Sequence, residues 1–219
     1  MTPPSDTRSL PLDAIAHRLA PLGLQILGHC PTTADDNLPT GTLALIGPKE
    51  PDFWPIFLAT AEVSDGAPNP LDRWSERVLC DIANETGTTA LFPFGGPPFL
   101  PFYTWALRSG RFWPAPIHFL VHDTVGLFAS FRGALLLPDV IAATPQNPPC
   151  QDCANKPCTT ACPVGAFTDT YNVQTCKTHV ASDAGRDCLS QGCRARLACP
   201  VGQGNRLPAQ AAFHMKAFL

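Results

Sequence analysis

Eight of the ten cysteines in this 219-residue chain fall between Cys150 and Pro200, and no other stretch limits so strongly what the chain can fold into. The first four stand at Cys150-x2-Cys153-x4-Cys158-x3-Cys162-Pro163; the rest are Cys176, Cys188, Cys193 and Cys199-Pro200. Both halves close on the same tetrapeptide, Cys162-Pro163-Val164-Gly165 and Cys199-Pro200-Val201-Gly202, which marks an internal pseudo-repeat. Gaps this short curl a backbone around one centre.

A [4Fe-4S] cube presents four irons at tetrahedral corners, so three ligands curl around it from one tight loop while the fourth arrives from elsewhere. Two such cubes need eight thiolates, and eight are present. Three other readings stand beside this one. Structural zinc also takes four thiolates, but its ligands usually come as two separated pairs, whereas here four thiols crowd into residues 150–162. A disulfide framework suits small secreted chains; the start Met1-Thr2-Pro3-Pro4-Ser5-Asp6 lacks the charged and apolar regions of an export signal, and a chain of this length needs no staples. One cluster with spare cysteines is the remaining alternative, because the gaps after Cys188 and Cys193 are looser than ferredoxin-type spacing.

Net charge is -3 and no basic run occurs, so the chain offers no electrostatic footprint for nucleic acid or an anionic membrane. No apolar run is long enough to span a bilayer. The expected location is the cytoplasm. Twenty-five prolines, scattered along the chain, predict many short elements joined by rigid turns.

Residues 1–8 read as a loose start. Leu12, Ile15, Ala16 and Leu19 recur at helical spacing before Gly23. Residues 24–27 and 42–47 read as a hairpin, with Asp35-Asp36-Asn37 and Pro39-Thr40-Gly41 supplying the turn chemistry. Residues 53–63 and 71–84 read as amphipathic helices, the second capped by Asn69 and opened by Pro70. Cys30 and Cys80 read as small buried apolar residues. A strand at 89–92 runs into the Phe94 to Phe102 loop, where Gly95 and Gly96 permit close approach and the phenylalanines offer flat apolar surface, a combination suited to a large planar cofactor or to inward packing. A short helix follows at 102–108. Residues 117–121 and 127–137 read as two strands around His122-Asp123-Thr124, and residues 208–219 as a closing helix. His29, His118 and His122 stand at no ligand spacing. The expected fold is α+β, an antiparallel sheet with flanking helices over residues 1–147, followed by a ferredoxin-like module over 148–219.

The Cys-Pro ending of each cysteine run resembles bacterial ferredoxins, where the proline turns the last thiol towards the other cluster. That resemblance implies crossed ligand sets: Cys150, Cys153, Cys158 and Cys199 for one cluster, Cys162, Cys176, Cys188 and Cys193 for the other. Residues 150–166 with Tyr171-Asn172-Val173-Gln174-Thr175-Cys176 are similar to the two-cluster module of epoxyqueuosine reductases and reductive dehalogenases, which pair two cubane clusters with cobalamin. Residues 126–138 resemble the C-terminal sheet segment of cobalamin-processing proteins of the nitroreductase-like superfamily. The resemblance covers residues 70–200 and implies a corrinoid on the sheet domain, with Phe94, Gly95, Gly96, Phe102, Arg132 and Gly133 as its contacts. The cysteine gaps are wider than the C-x2-C-x2-C and C-x2-C-x3-C-P of epoxyqueuosine reductases, and the absence of a basic surface argues against a tRNA substrate. No catalytic acid matches.

Two functions follow as expectations: a cobalamin-linked iron-sulfur reductase, or a ferredoxin-like electron carrier that docks on a redox partner protein. Lys156, Arg186, Arg194 and Arg196 stand close to the thiols in sequence. Each favours a reduced cluster if its charge lies near and unscreened, and is ordinary surface charge otherwise.

Overall fold

A strand covered on both faces carries a continuous apolar run rather than an alternating one. Strand β2 (Thr42–Pro48) and strand β6 (Gly133–Leu137) are such runs, buried at every position. The computed structural model describes residues 10–204 and 207–219; the loose start expected over residues 1–8 lies outside them. β2 and β6 pair antiparallel, with Thr42 opposite Leu137 and Ile46 opposite Gly133. β1 (Leu24–Pro31) takes the free edge of β2, as the expected hairpin, and β3 (Thr89–Leu91) takes the free edge of β6. The result is a four-stranded antiparallel sheet of order β1-β2-β6-β3. With its flanking helices it makes the fold α+β.

Helix α1 (Leu10–Leu19) ends through a short 3-10 turn at Gly23, whose left-handed backbone closes it. The expected helix over 53–63 is two pieces, α2 (Phe53–Leu58) and α3 (Ala61–Ser64). Thr60 breaks it by turning extended and donating its hydroxyl to the Phe57 carbonyl, which competes with continuation of the helix. α4 (Pro70–Thr86) buries Leu71, Trp74, Val78, Leu79 and Ile82 at helical spacing and lies on β3 and β6. Asn69 does not cap it with its side chain; it takes a left-handed conformation, and Pro70 alone presets the first turn. α5 (Phe102–Arg108) lies on β1 and β2. Cys30 is fully buried and Cys80 partly so.

The expected strand pair over 117–121 and 127–137 does not form. Instead β4 (Phe112–Pro114) pairs with β5 (Leu120–His122), Phe112 opposite His122. His122 explains the stop: its Nδ1 accepts the N–H groups of Thr124 at 3.1 Å and Val125 at 3.3 Å, folding the chain into a tight turn that bridges back at Gly126. Strand character resumes only at Gly133.

The chain forms two compact units. One runs up to Arg111 and includes Ser130–Pro145; the other is Phe112–Ala129 with Gln146–Leu219. The excursion 112–129, assigned by sequence to the sheet domain, therefore belongs with the cysteines. In that second unit lie α6 (Val173–Val180), α7 (Arg186–Gln191), α8 (Arg194–Leu197) and α9 (Pro208–Phe218), with α9 packed on α7. Among the described residues no helix is long and apolar enough to cross a membrane.

Candidate metal centre

All eight clustered cysteines are free thiols, and they line two cavities. Cys150, Cys153, Cys158 and Cys199 line the first, together with Val121, Leu127 and Lys156. Cys162, Cys176, Cys188 and Cys193 line the second, together with Phe167, His179, Arg194 and Met215. These are the same two groups of four that the ferredoxin resemblance implies as ligand sets. Among the described residues no group of three or more His, Cys, Asp or Glu side chains is gathered so as to hold a metal ion.

Local backbone chemistry produces the arrangement. Between Cys153 and Cys158, Asn155 and Lys156 both take left-handed conformations, φ 60° and 38°, so the extra residues of this gap reverse the chain instead of lengthening the loop. Cys158 then sits in a 3-10 turn. After each Cys-Pro-Val, Gly165 and Gly202 take positive φ, which bends both halves of the pseudo-repeat alike. Cys176 rides on α6, whose start is capped by the Asn172 carboxamide accepting from the Thr175 N–H at 2.9 Å. Cys188 rides on α7, and Cys193 precedes α8.

The cavities are neighbours by covalent geometry. Cys158 and Cys162 are four residues apart in different cavities, so their Cα atoms lie within about 14 Å of one another. Cys193 and Cys199 cross back over α8. Cys158 and Cys199 belong to one apolar core with Ile117, Val121, Leu127, Phe167 and Ala195, and Cys150, Cys162 and Cys193 pack against it.

Burial is the leading influence on four of the thiols: it pushes Cys150, Cys158, Cys188 and Cys193 above the usual thiol range. Backbone donors act the other way. The N–H groups of Arg196 and Ala195 face the Cys193 sulfur, that of Arg194 faces Cys188, and the Ala166 N–H reaches the Cys162 sulfur at 3.3 Å. Such N–H to sulfur bonds favour anionic sulfur. Tyr171 stacks on Phe167 with ring centres 4.8 Å apart, and Phe119 meets both edge-on. Its phenol is raised first by burial and then by a hydrogen bond with Cys176.

The histidines weighed from sequence are held by carbonyls or turns. His29 Nε2 lies 2.9 Å from the Ala142 oxygen and His118 Nε2 lies 3.1 Å from that of Thr168. His179 lines the second thiol cavity, and sequence reading missed it although Cys176 and His179 stand three apart and so share a helix face.

The six residues implied as corrinoid contacts are spread through packed structure. Phe102 is buried against Trp105 and Phe131, and a Cβ on Gly133 would lie 2.5 Å from Leu79. Arg132 pairs with Asp72 at 3.4 Å. Phe94 packs on Phe92, a Cβ on Gly96 would meet the loop's own backbone at Phe99 and Pro98, and only Gly95 has open space above it. Phe99, on the same loop, is 66% exposed.

No protein-family model matches the chain, and no curated protein matches it.

Proposed function

We propose that this chain is an iron-sulfur electron-transfer protein, with one [4Fe-4S] cluster held by Cys150, Cys153, Cys158 and Cys199 and a second by Cys162, Cys176, Cys188 and Cys193. The observation that carries this reading is the sorting of eight thiols into two neighbouring cavities, four to each, with the last cysteine of each run crossing to the other group. The donor chemistry fits. Four thiols on each cavity match the four iron corners of a [4Fe-4S] cluster, one sulfur to each. When bound, each cluster supplies one-electron redox chemistry with no proton required of the protein.

The chain's own residues would do the rest. The apolar core around Val121, Leu127, Phe167 and Ala195 keeps water from the sulfurs, and the backbone N–H groups of Ala166, Arg194, Ala195 and Arg196 offset their negative charge.

Between the two forms of this reading, the packing of Phe102 and Gly133 favours an electron carrier that docks on a redox partner over a cobalamin-linked reductase. A corrinoid needs an open apolar cavity, and these two positions are filled. The test is anaerobic: iron and acid-labile sulfide on purified protein, with a visible titration by cobalamin. About eight irons per chain without a cobalamin shift is the expected result. A cobalamin shift would replace the carrier by the reductase, and zinc in place of iron would overturn both.

A further inference from the structure

A centre held by thiolates is tuned by N–H donors, because each N–H to sulfur bond offsets negative charge on the sulfur. Few side chains at the two cavities carry one. Among the described residues that line the first, Lys156 does, and it is exposed. At the second they are Arg194, also exposed, and His179, which is half-buried. Arg196 lines neither cavity: it is half-buried, donates its Nε–H to the Leu127 carbonyl at 2.7 Å, and holds its guanidinium carbon 5.6 Å from the centre of the Phe128 ring. Arg186 is exposed and paired with Asp183 at 2.9 Å.

The fold fixes His179 against the thiols. It stands in the last turn of α6, three residues after Cys176, and helical side chains slant back towards the preceding turn, which here carries Cys176. Its backbone is pinned as well. The His179 carbonyl accepts from the Ser182 N–H at 3.0 Å and from the Ser182 hydroxyl at 2.7 Å, and a Cβ on Gly185 would lie 1.9 Å from that same oxygen, so only glycine fits there. The ring, by contrast, makes no hydrogen bond, ion pair or ring contact with another described residue. His29 and His118 each rest on a carbonyl, and His122 on its own turn. Imidazole carries at least one N–H in either protonation state, so a donor is always present. The cavity it lines offers that donor no side-chain oxygen: the lining side chains are the four cysteines, Arg194 and apolar groups.

We propose that His179 donates its imidazole N–H to sulfur of the centre held by Cys162, Cys176, Cys188 and Cys193, and thereby raises that centre's reduction potential. The inference rests on the two-cluster reading. Reduction adds one electron to the cluster and takes no proton, so its sulfurs become more negative, and an N–H bond to them stabilises the reduced state more than the oxidised one. Partial burial shields this bond from competition with water. The first cavity has only exposed Lys156 in the corresponding role, so the fold sets the two centres apart in potential.

The test uses the full chain loaded anaerobically with iron and sulfide, its histidines labelled with heavy nitrogen. Pulsed electron paramagnetic resonance of the reduced protein reads the coupling between cluster spin and labelled nitrogen. A weak coupling, of the kind carried through a hydrogen bond, is expected in the wild type and should vanish in both His179→Leu and His179→Gln. A redox titration at one fixed pH then separates the variants. His179→Leu removes the donor and should lower the reduced-to-oxidised ratio of one cluster about tenfold at fixed potential, about 59 mV for one electron, while the other cluster stays put. His179→Gln keeps an N–H donor and should restore most of the difference. If the Leu chain holds no iron, the loss of coupling in the Gln chain still decides. Absence of coupling in the wild type would make water the partner of the ring, and coupling as strong as that of a bound nitrogen would make His179 a ligand; either overturns the assignment. So would equal shifts in the two variants, movement of both clusters together, or no shift. Wild-type protein that binds no iron-sulfur cluster would instead overturn the reading beneath it.

Discussion

A Cβ placed on Gly126 would lie 2.1 Å from the carbonyl oxygen of Val201 and 3.3 Å from the Cys199 sulfur. The obstructing oxygen is backbone and cannot swing aside, and Gly126 holds a positive φ of 59° besides. Gly126→Ala therefore incurs both overpacking and left-handed strain, about 2–5 kcal/mol together. Urea denaturation of the metal-free chain measures that loss. Iron content on reconstitution should fall as well, because the first atoms displaced adjoin Cys199. Gly66→Ala is the control: its φ of 68° is as strained, but nothing lies within 4 Å of the added carbon, so it costs only about 1–2 kcal/mol.

Cys158 and Cys162, close in sequence, should fail separately, whereas Cys150 and Cys199, far apart in sequence, should fail together. Cys150 and Cys199 line one cavity, so the double variant Cys150→Ala/Cys199→Ala should keep about four irons in the second site. Cys162→Ala/Cys199→Ala takes one thiol from each cavity and should leave fewer than about four. If Cys150 to Cys162 instead held one cluster in sequential order, Cys150→Ala/Cys162→Ala would be the pair that spares a site. Iron assay of the three double variants decides between the patterns.

The sheet was legible where apolar runs are long or regular. β2 is buried along its length, α4 shows its stripe from Leu71 to Ile82, and the closing helix at Pro208 forms where a first-turn proline predicts it. What escaped was the destination of Leu127 and Phe128. Their apolar character fits a strand, but the His122 turn sends them into the cysteine unit, where Leu127 joins the thiol-bearing core and Phe128 backs Arg196. Hydrophobicity records that a residue is buried and not against what. For the same reason Arg196 looked like its neighbours Arg186 and Arg194. Helix α8 spans only Arg194–Leu197, too short a pattern to show which side faces inward.

Away from the thiols, Asp36 ties the β1-β2 connection to α5. It accepts from Arg108 at 2.6 and 3.2 Å, from the Trp105 indole at 2.8 Å and from the Thr33 N–H at 2.7 Å, with its side chain 3% exposed. Burial pushes the Asp36 carboxyl up, but these donors outweigh it and hold it below the usual carboxylate range. A carboxyl lowered on folding stabilises the protein above its unfolded pKa, and the benefit is lost as pH falls through the folded value. Asp36→Asn should thus destabilise the chain at neutral pH by about 2–4 kcal/mol, less than a fully buried pair because Arg108 is partly exposed. The gap between wild type and variant should narrow in acid, and urea midpoints at neutral and acid pH check both points.

At the other end of the pH scale the thiols set the slope. Burial raises Cys150, Cys158, Cys188 and Cys193 in the folded chain, whereas the unfolded chain ionises them near the ordinary value of about 8.5. Their contribution is complete below that value. Above it the unfolded state binds fewer protons than the folded one, so the stability of the metal-free protein should fall as pH rises and should go on falling until the folded thiols also ionise. Cys30 and Cys80 are raised by burial too and add the same slope in any form of the protein. In the iron-loaded chain the eight clustered sulfurs are already deprotonated and take up protons when the chain unfolds and loses iron, so their slope reverses and stability gains with pH until the unfolded thiols ionise, against the fall from Cys30 and Cys80. Denaturation midpoints between about pH 8 and pH 10, with and without iron, isolate the difference. Equal slopes in the two forms would mean that the clustered thiols do not carry the metal.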